Sequence, residues 1–216
     1  MKKTFTLFIA FIPIFLNAQN NKIKYLNIEG KEVDKELFYK TQISKGCTVG
    51  QNDEGTIYRL IADREKKGKI NDYKELINLI NSKLGQNLSS NQPLFVYYYP
   101  GPDITNNSTS SSEEANLDFK SSTDKFQHKL QKEINGQTLF VYKKASGKVY
   151  ENHPIIPWKK DPNGEFEKRF FPDYHYWYAS FVIIFPNGDY NTYLGEFSYD
   201  QVFEYIKKWK KNNKIK

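Results

Sequence analysis

The sequence predicts an α/β protein built on a mixed sheet flanked by helices. Three observations lead there. Strand and amphipathic-helix patterns alternate through the middle of the chain, the segment "PLFVYYYP" is apolar without interruption, and the chain closes with a strand-turn-strand followed by a helix. An unbroken apolar run is the pattern of a strand buried on both faces.

Taken in order, "TIYRLIADRE" (Thr56 to Glu65) reads as a strand with Ile57, Leu60 and Ile61 apolar, followed by a turn containing lysine and glycine. "DYKELINLINSKLG" places Tyr73, Leu76, Ile77, Ile80 and Leu84 at helical spacing, with Asp72 and Glu75 in capping-box register and Gly85 as the stop. The apolar strand then ends at Pro100, in the turn Pro-Gly-Pro-Asp. Thr105 to Asn116, "TNNSTSSSEEAN", has the composition of a flexible loop. A helix follows, with Phe126, Leu130 and Ile134 on one stripe, a Ser/Thr/Asp cap and Gly136 as its stop. "QTLFVYKKASG" is the next strand. The connection after it carries Pro154, Pro157, Pro162 and Pro172, which excludes one continuous helix. Beyond it, "ASFVIIFPNGDYNTYLGEF" reads as a hairpin turning at Pro-Asn-Gly. Ser198 and Gln201 form a capping box for a helix whose Val202, Ile206 and Trp209 share a face. The N-terminal "IKYLNIEGKEVDKELFYKTQISKG" suggests a hairpin or strand-turn-helix adding an extra edge to the sheet, with Leu37 and Phe38 packed on the body.

The two ends of the chain have their own logic. Lys2 and Lys3, the apolar run Phe5 to Leu16 and the small residue Ala18 have the form of a secretory signal peptide, which implies export to the periplasm or beyond. That run is short for a membrane span, and membrane insertion is not expected. The formal net charge is +7, but Lys207, Lys208, Lys210, Lys211, Lys214 and Lys216 cluster at the C-terminus, so the body is nearly neutral. Without a basic stripe interleaved with aromatics, a nucleic-acid partner is not expected. One cysteine, Cys47, cannot form an intrachain disulfide, so stability has to come from packing, to which 16 Tyr and 16 Phe bring large apolar area.

The order β-α-β-α-β, long connection, β-β-α resembles the thioredoxin fold. The closing segment "SFVIIFPNGDYNTYLGEFSYDQVFEYIKKW" is similar to the end of exported thioredoxin-like proteins. The resemblance covers Thr56 to Trp209. It implies a thioredoxin-like domain over 56–209 with an aromatic insertion in place of the third helix; with the leader and the lysine cluster read above, the chain divides into a signal peptide over 1–18, an N-terminal extension over 19–55 packed on the body, that domain, and a basic tail over 210–216. Thioredoxin-like oxidoreductases carry Cys-x-x-Cys on the turn after the second strand, where a helix N-terminus activates the first thiol. The matching turn here is "YYYPGPDITNNS", which holds no cysteine, and Tyr178, Ala179 and Ser180 stand where the family has its cis-proline. Dithiol exchange is therefore excluded. Cys47 lies in "SKGCTVGQ", outside the family's reactive positions, and reads as an unpaired thiol in a small-residue turn.

What remains is recognition. The expectation is a non-catalytic, monomeric, envelope-associated module for an unidentified protein, peptide or glycan, with no cofactor or metal. Its candidate ligand-binding residues are Tyr99 and Asp103 at the turn and His153, His175 and Trp177 in the insertion. The insertion's aromatics, Trp158, Phe166, Phe170, Phe171, Tyr174, Tyr176, Trp177 and Tyr178, either form binding platforms or pin an irregular segment to the core. Glu151 with His153, and Asp173 with His175, share a face in extended chain, so the alternative is an enzyme with a His/Asp or metal site near the turn after Pro100.

Overall fold

The computed structural model describes residues 23–103, 113–145, 149, 151, 153 and 155–213; the apolar leader, residues 104–112 of the polar stretch and residues 214–216 of the basic tail lie outside them. In chain order the elements are β1 (Lys24–Leu26), β2 (Glu32–Val33), α1 (Lys35–Lys45), β3 (Thr48–Gln51), β4 (Ile57–Ile61), β5 (Glu65–Lys69), α2 (Tyr73–Leu84), β6 (Leu94–Tyr99), α3 (Glu113–Ile134) and β7 (Gln137–Tyr142). The series continues with β8 (Lys159–Lys160), a 3-10 turn (Pro162–Gly164), α4 (Glu165–Phe170), β9 (His175–Tyr176), β10 (Ser180–Ile184), β11 (Asp189–Tyr193) and α5 (Tyr199–Asn212).

These strands make two mixed sheets. The larger runs β5-β11-β10-β6-β7-β8. At its centre β6 lies parallel to β7, with Val96 opposite Leu139, and antiparallel to β10, with Val96 opposite Val182. Alternation along β6 feeds two cores. Leu94, Val96 and Tyr98 point into a cluster with Leu76, Ile77 and Ile80 of α2 and Phe166 and Phe170 of α4. On the opposite face, Phe95 joins Phe126 and Leu130 of α3 and Val202 and Ile206 of α5. Helices thus cover both faces, which is why the central strands are apolar at every position.

The second sheet, β2-β1-β4-β3-β9, corrects the expectation of a simple extra edge. The N-terminal elements recruit Ile57–Ile61 and His175–Tyr176 and close a separate core of Phe38, Val49, Tyr58, Leu60 and Trp177. "TIYRLIADRE" is accordingly not one strand of the main sheet. It divides into β4, in the second sheet, and the start of β5, and the expected lysine-glycine turn is itself β5, the edge strand paired with β11. Glu65–Lys69 has no apolar alternation because it is an edge, where lysines discourage further pairing.

Gly85 ends α2 in the left-handed conformation, and Ser198 with Gln201 forms the capping box of α5. Asp72, however, makes no cap; its carboxylate accepts Arg169 Nη1 at 2.7 Å. Nor do the Ser/Thr/Asp residues near 121–124 start α3, which begins at Glu113 and so absorbs the end of the polar stretch. Thr123 is buried instead, hydrogen-bonded to the Tyr199 hydroxyl at 2.9 Å. The left-handed residue after α3 is Asn135 (φ 54°), one before the expected Gly136.

In the long connection, Phe166, Phe170, Phe171, Trp158, Tyr176 and Trp177 are all buried. Phe171 stacks on Tyr98 with centroids 4.4 Å apart, and Trp158 meets Phe140 edge-on. Each such side chain contributes about 2–3 kcal/mol of burial, enough to hold a segment with little regular structure of its own. Packing is therefore the role of these aromatics, and Trp158 and Trp177 are not exposed platforms.

Candidate functional site

At the C-terminal ends of β6 and β7 the chain meets itself from three directions. The turn Pro100–Asp103 leaves β6, Lys143 and Lys144 leave β7, and Asp173–Tyr178 runs past them toward β10. Gly101 makes the close approach possible. Its φ is 134°, and a Cβ there would lie 2.9 Å from Lys144 Cβ and 3.5 Å from His175 Cε1. Asp103 is buried and its Oδ2 accepts the backbone N–H of Tyr178 at 2.9 Å. Tyr178 holds a left-handed backbone (φ 63°), unusual for an aromatic residue, and its side chain is 38% exposed. Behind it, Gly195 (φ 75°) packs where a Cβ would strike Thr48 Oγ1, and its N–H reaches Ser180 Oγ at 2.9 Å.

The expected site residues divide between two places. Asp103 and His175 come together at this mouth, close enough that the Asp103 charge acts on the imidazole. His175 is buried and pairs across from Gln51 in β3. Trp177, two residues on, turns into the core of the second sheet, where its Nε1 donates to Gln51 Oε1 at 2.9 Å. It is a structural residue. Tyr99 alternates to the far side of β6 from Tyr98 and joins Phe140, Tyr142, Ile156 and Trp158. His153 belongs beside that cluster, its Nδ1 accepting the backbone N–H groups of Ile155 and Ile156 at 3.1 and 3.2 Å.

Three further residues complete the mouth. Lys143 Nζ bridges Asp53 Oδ1 at 2.7 Å and Glu167 Oε1 at 2.5 Å. Burial opposes the Lys143 charge, but its bonds to Asp53 and Glu167 outweigh burial and raise its pKa. The same hydrogen bond holds the Asp53 carboxyl below the ordinary range. Only the side taken by Lys143 has a signal in the sequence, the strand register: Leu139 and Val141 face the main core, and Lys143 follows two residues later.

Burial pushes the His175 pKa down to about 4, and Lys143 and Lys144 push the same way against Asp103 and Asp53. The imidazole is therefore neutral at physiological pH, and its Nε2 has no partner among the described residues. Asp161 shows the opposite effect. Burial raises it to about 6, although it accepts the amides of Phe166 and Glu167 at the start of α4. Beside the mouth, Gln51, Asn52, Asp53, Glu54, Glu167, Asp173, Tyr174 and His175 line an open groove of about 310 Å³.

Cys47 is buried in the second core, and burial raises its thiol pKa, so it presents no nucleophile here. Among the described residues, no three His, Cys, Asp or Glu converge to hold a metal ion, and no helix is long and apolar enough to cross a membrane. The chain matches no protein-family model, and comparison with curated proteins and with solved structures likewise returns no match.

Proposed function

We propose that the chain is an exported, thioredoxin-like binding protein whose mouth serves recognition in place of thiol chemistry. Support for the framework comes from the order of elements along the chain: β6, α3 and β7, with the two strands parallel, then a long connection, the β10–β11 hairpin and α5, follow the series named in the resemblance from its second strand onward. Export rests on the charged and apolar leader. The observation that carries the recognition reading is the Asp103 to Tyr178 hydrogen bond. Where the family keeps reactive cysteines, this chain has a buried carboxylate committed to bracing the segment before β10, and that brace presents an exposed tyrosine in a strained backbone.

The alternative, an acid–base enzyme using Asp103 and His175, is favoured by their proximity and by the unpartnered Nε2. It is weakened by the imidazole's pKa of about 4, which leaves no proton to donate at neutral pH and a weak base to accept one. Panning a random peptide library on the immobilised chain, with Tyr178→Ala as counter-screen, tests recognition. Sequences retained by the native chain and lost on the variant are expected. Equal retention on both, or none on either, contradicts it, and hydrolysis of activated esters abolished by His175→Ala would establish the enzyme instead.

A further inference from the structure

Helices α3 and α5 lie side by side and run the same way. Tyr199 stacks on Phe126 at 4.1 Å, Lys129 Nζ sits 3.9 Å from the centre of the Phe203 ring, and Lys210 holds Glu133 at 3.0 Å. Both end at the pole of the main sheet opposite the mouth, since α3 closes at Ile134, shortly before Gln137 pairs with Leu94 at the start of β6. Lys129, Glu133, Glu204, Lys207 and Lys210 line the groove between the helices at this end. Helical spacing carries the stripe to Lys125 and Lys132 on α3 and to Lys211 on α5, all three exposed. Other acids stand apart. Asp124 is taken by Lys120 at 2.5 Å, Asp189 at the hairpin turn faces Lys69 at 4.0 Å, and Asp118 and Asp200 precede the first lysine of each stripe by about 10 Å of helix. The face therefore sets six ammonium groups against two carboxylates, Glu133 and Glu204, and Glu133 is already held by Lys210.

Helix dipoles explain only part of this excess. Their pull on cations fades beyond the last turn, which holds Lys132 in α3 and Lys210 and Lys211 in α5. Lys125, Lys129 and Lys207 lie before it. They also make Lys125 with Lys129, and Lys207 with Lys211, like-charge neighbours at i,i+4, a spacing that weakens a helix unless an opposite charge covers it. Apart from Lys210, no lysine of the face forms an ion pair among the described residues. We propose that this face docks the protein on an anionic lipid surface. The proposal goes beyond recognition at the mouth and does not depend on it. Lipid headgroups supply a sheet of phosphate charge, which matches lysines spread over two helices. All six cations are lysines, point charges without the planar fork by which arginine selects a single phosphate. Phe203 is covered by Lys129, and Trp209 stacks inward on Phe185 at 3.7 Å, so neither ring offers a platform for bases. Lys214 and Lys216 continue the charge past the helix in sequence. Docked by this end, the protein turns its mouth away from the lipid.

The test is vesicle sedimentation of the exported form. Residues 1–18 are cleaved from it, which removes an apolar leader with its own affinity for lipid and leaves the described fold, from Ile23 onward, intact. Vesicles of equal parts phosphatidylglycerol and phosphatidylcholine should bind it, phosphatidylcholine alone should not, and binding should weaken as salt rises from about 50 to about 300 mM. Lys125→Gln combined with Lys207→Gln and Lys211→Gln should lower the partition coefficient about tenfold or more, because each lysine near the surface contributes up to about fivefold. Lys35→Gln combined with Lys40→Gln and Lys45→Gln, at exposed positions of α1, removes the same charge elsewhere and should lower it less than about twofold. An equal loss in the α1 variant, equal binding to the neutral vesicles, or no binding to the anionic ones overturns the proposal. Tighter binding of oligothymidylate than of the anionic vesicles also overturns it and assigns the face to nucleic acid.

Discussion

The Oδ2 of Asp103 accepts the backbone N–H of Tyr178 at 2.9 Å, tying the turn after β6 to the segment before β10 across 75 residues of sequence. With Asp103 buried, this bond joins two of the three segments that meet at the mouth. Asp103→Ala leaves the Tyr178 amide without that acceptor and should cost about 1–3 kcal/mol in urea unfolding, whereas Asp103→Asn keeps an acceptor and should cost about 1 kcal/mol or less. Amide exchange at Tyr178 should accelerate in the alanine variant and change little in the asparagine one.

Gly101 should tolerate substitution less well than Gly85. Both have positive φ, but a Cβ at Gly101 meets Lys144 at 2.9 Å while one at Gly85 meets nothing within 4 Å. Gly85→Ala should cost about 1 kcal/mol, from backbone strain alone. Gly101→Ala should cost about 2–3 kcal/mol, read as the difference in denaturation midpoint at constant slope.

Acid stability should depend on His175 with a definite sign. Its folded pKa of about 4 lies below the unfolded value near 6.5, so between these pH values the unfolded chain binds more protons. Its contribution is present above about pH 6.5 and lost as pH falls toward 4, to a total of about 3 kcal/mol. Asp161, raised to about 6, acts oppositely: over about pH 6 to 4 the folded chain takes up the proton first and gains stability on acidification. The two nearly cancel in the native protein. His175→Gln should therefore become more stable relative to the native chain between pH 7 and pH 4.5, and Asp161→Asn less stable, in parallel urea titrations.

Lys143→Met removes an ammonium that neutralises Asp53 and Glu167 together. The loss should be about 1–2 kcal/mol, and a double-mutant cycle with Glu167→Gln should return a coupling near 1 kcal/mol, because the lysine is largely shielded while its partners are not.

Much of the main sheet was legible because its elements carry strong local periodicity. The unbroken run of β6, the stripe Leu76, Ile77 and Ile80 of α2, the Pro-Asn-Gly hairpin and the Ser198 cap each appear where the sequence puts them. The second sheet was not legible. Its β2 and β9 are two residues long, and although β3 and β4 form a local hairpin, β4 is joined on its other side to β1 by a parallel pairing distant in sequence, which no local pattern reports. The same reason explains the site. Asp103 and His175 stood out by residue type and turn context, but Asp53, Lys143 and Glu167 meet only through tertiary contact. Trp177 misled because an aromatic residue in a loop looks the same in sequence whether it faces solvent or, as here, donates to Gln51 inside a core.

Amide chemical-shift mapping on the labelled chain, titrated with a peptide enriched by panning, tests most directly whether the mouth is the working surface. The shifts should concentrate at Gly101, Asp103, His175 and Tyr178, and should vanish in Tyr178→Ala. Shifts confined to surfaces away from these residues, or unchanged by that substitution, would contradict recognition at the mouth.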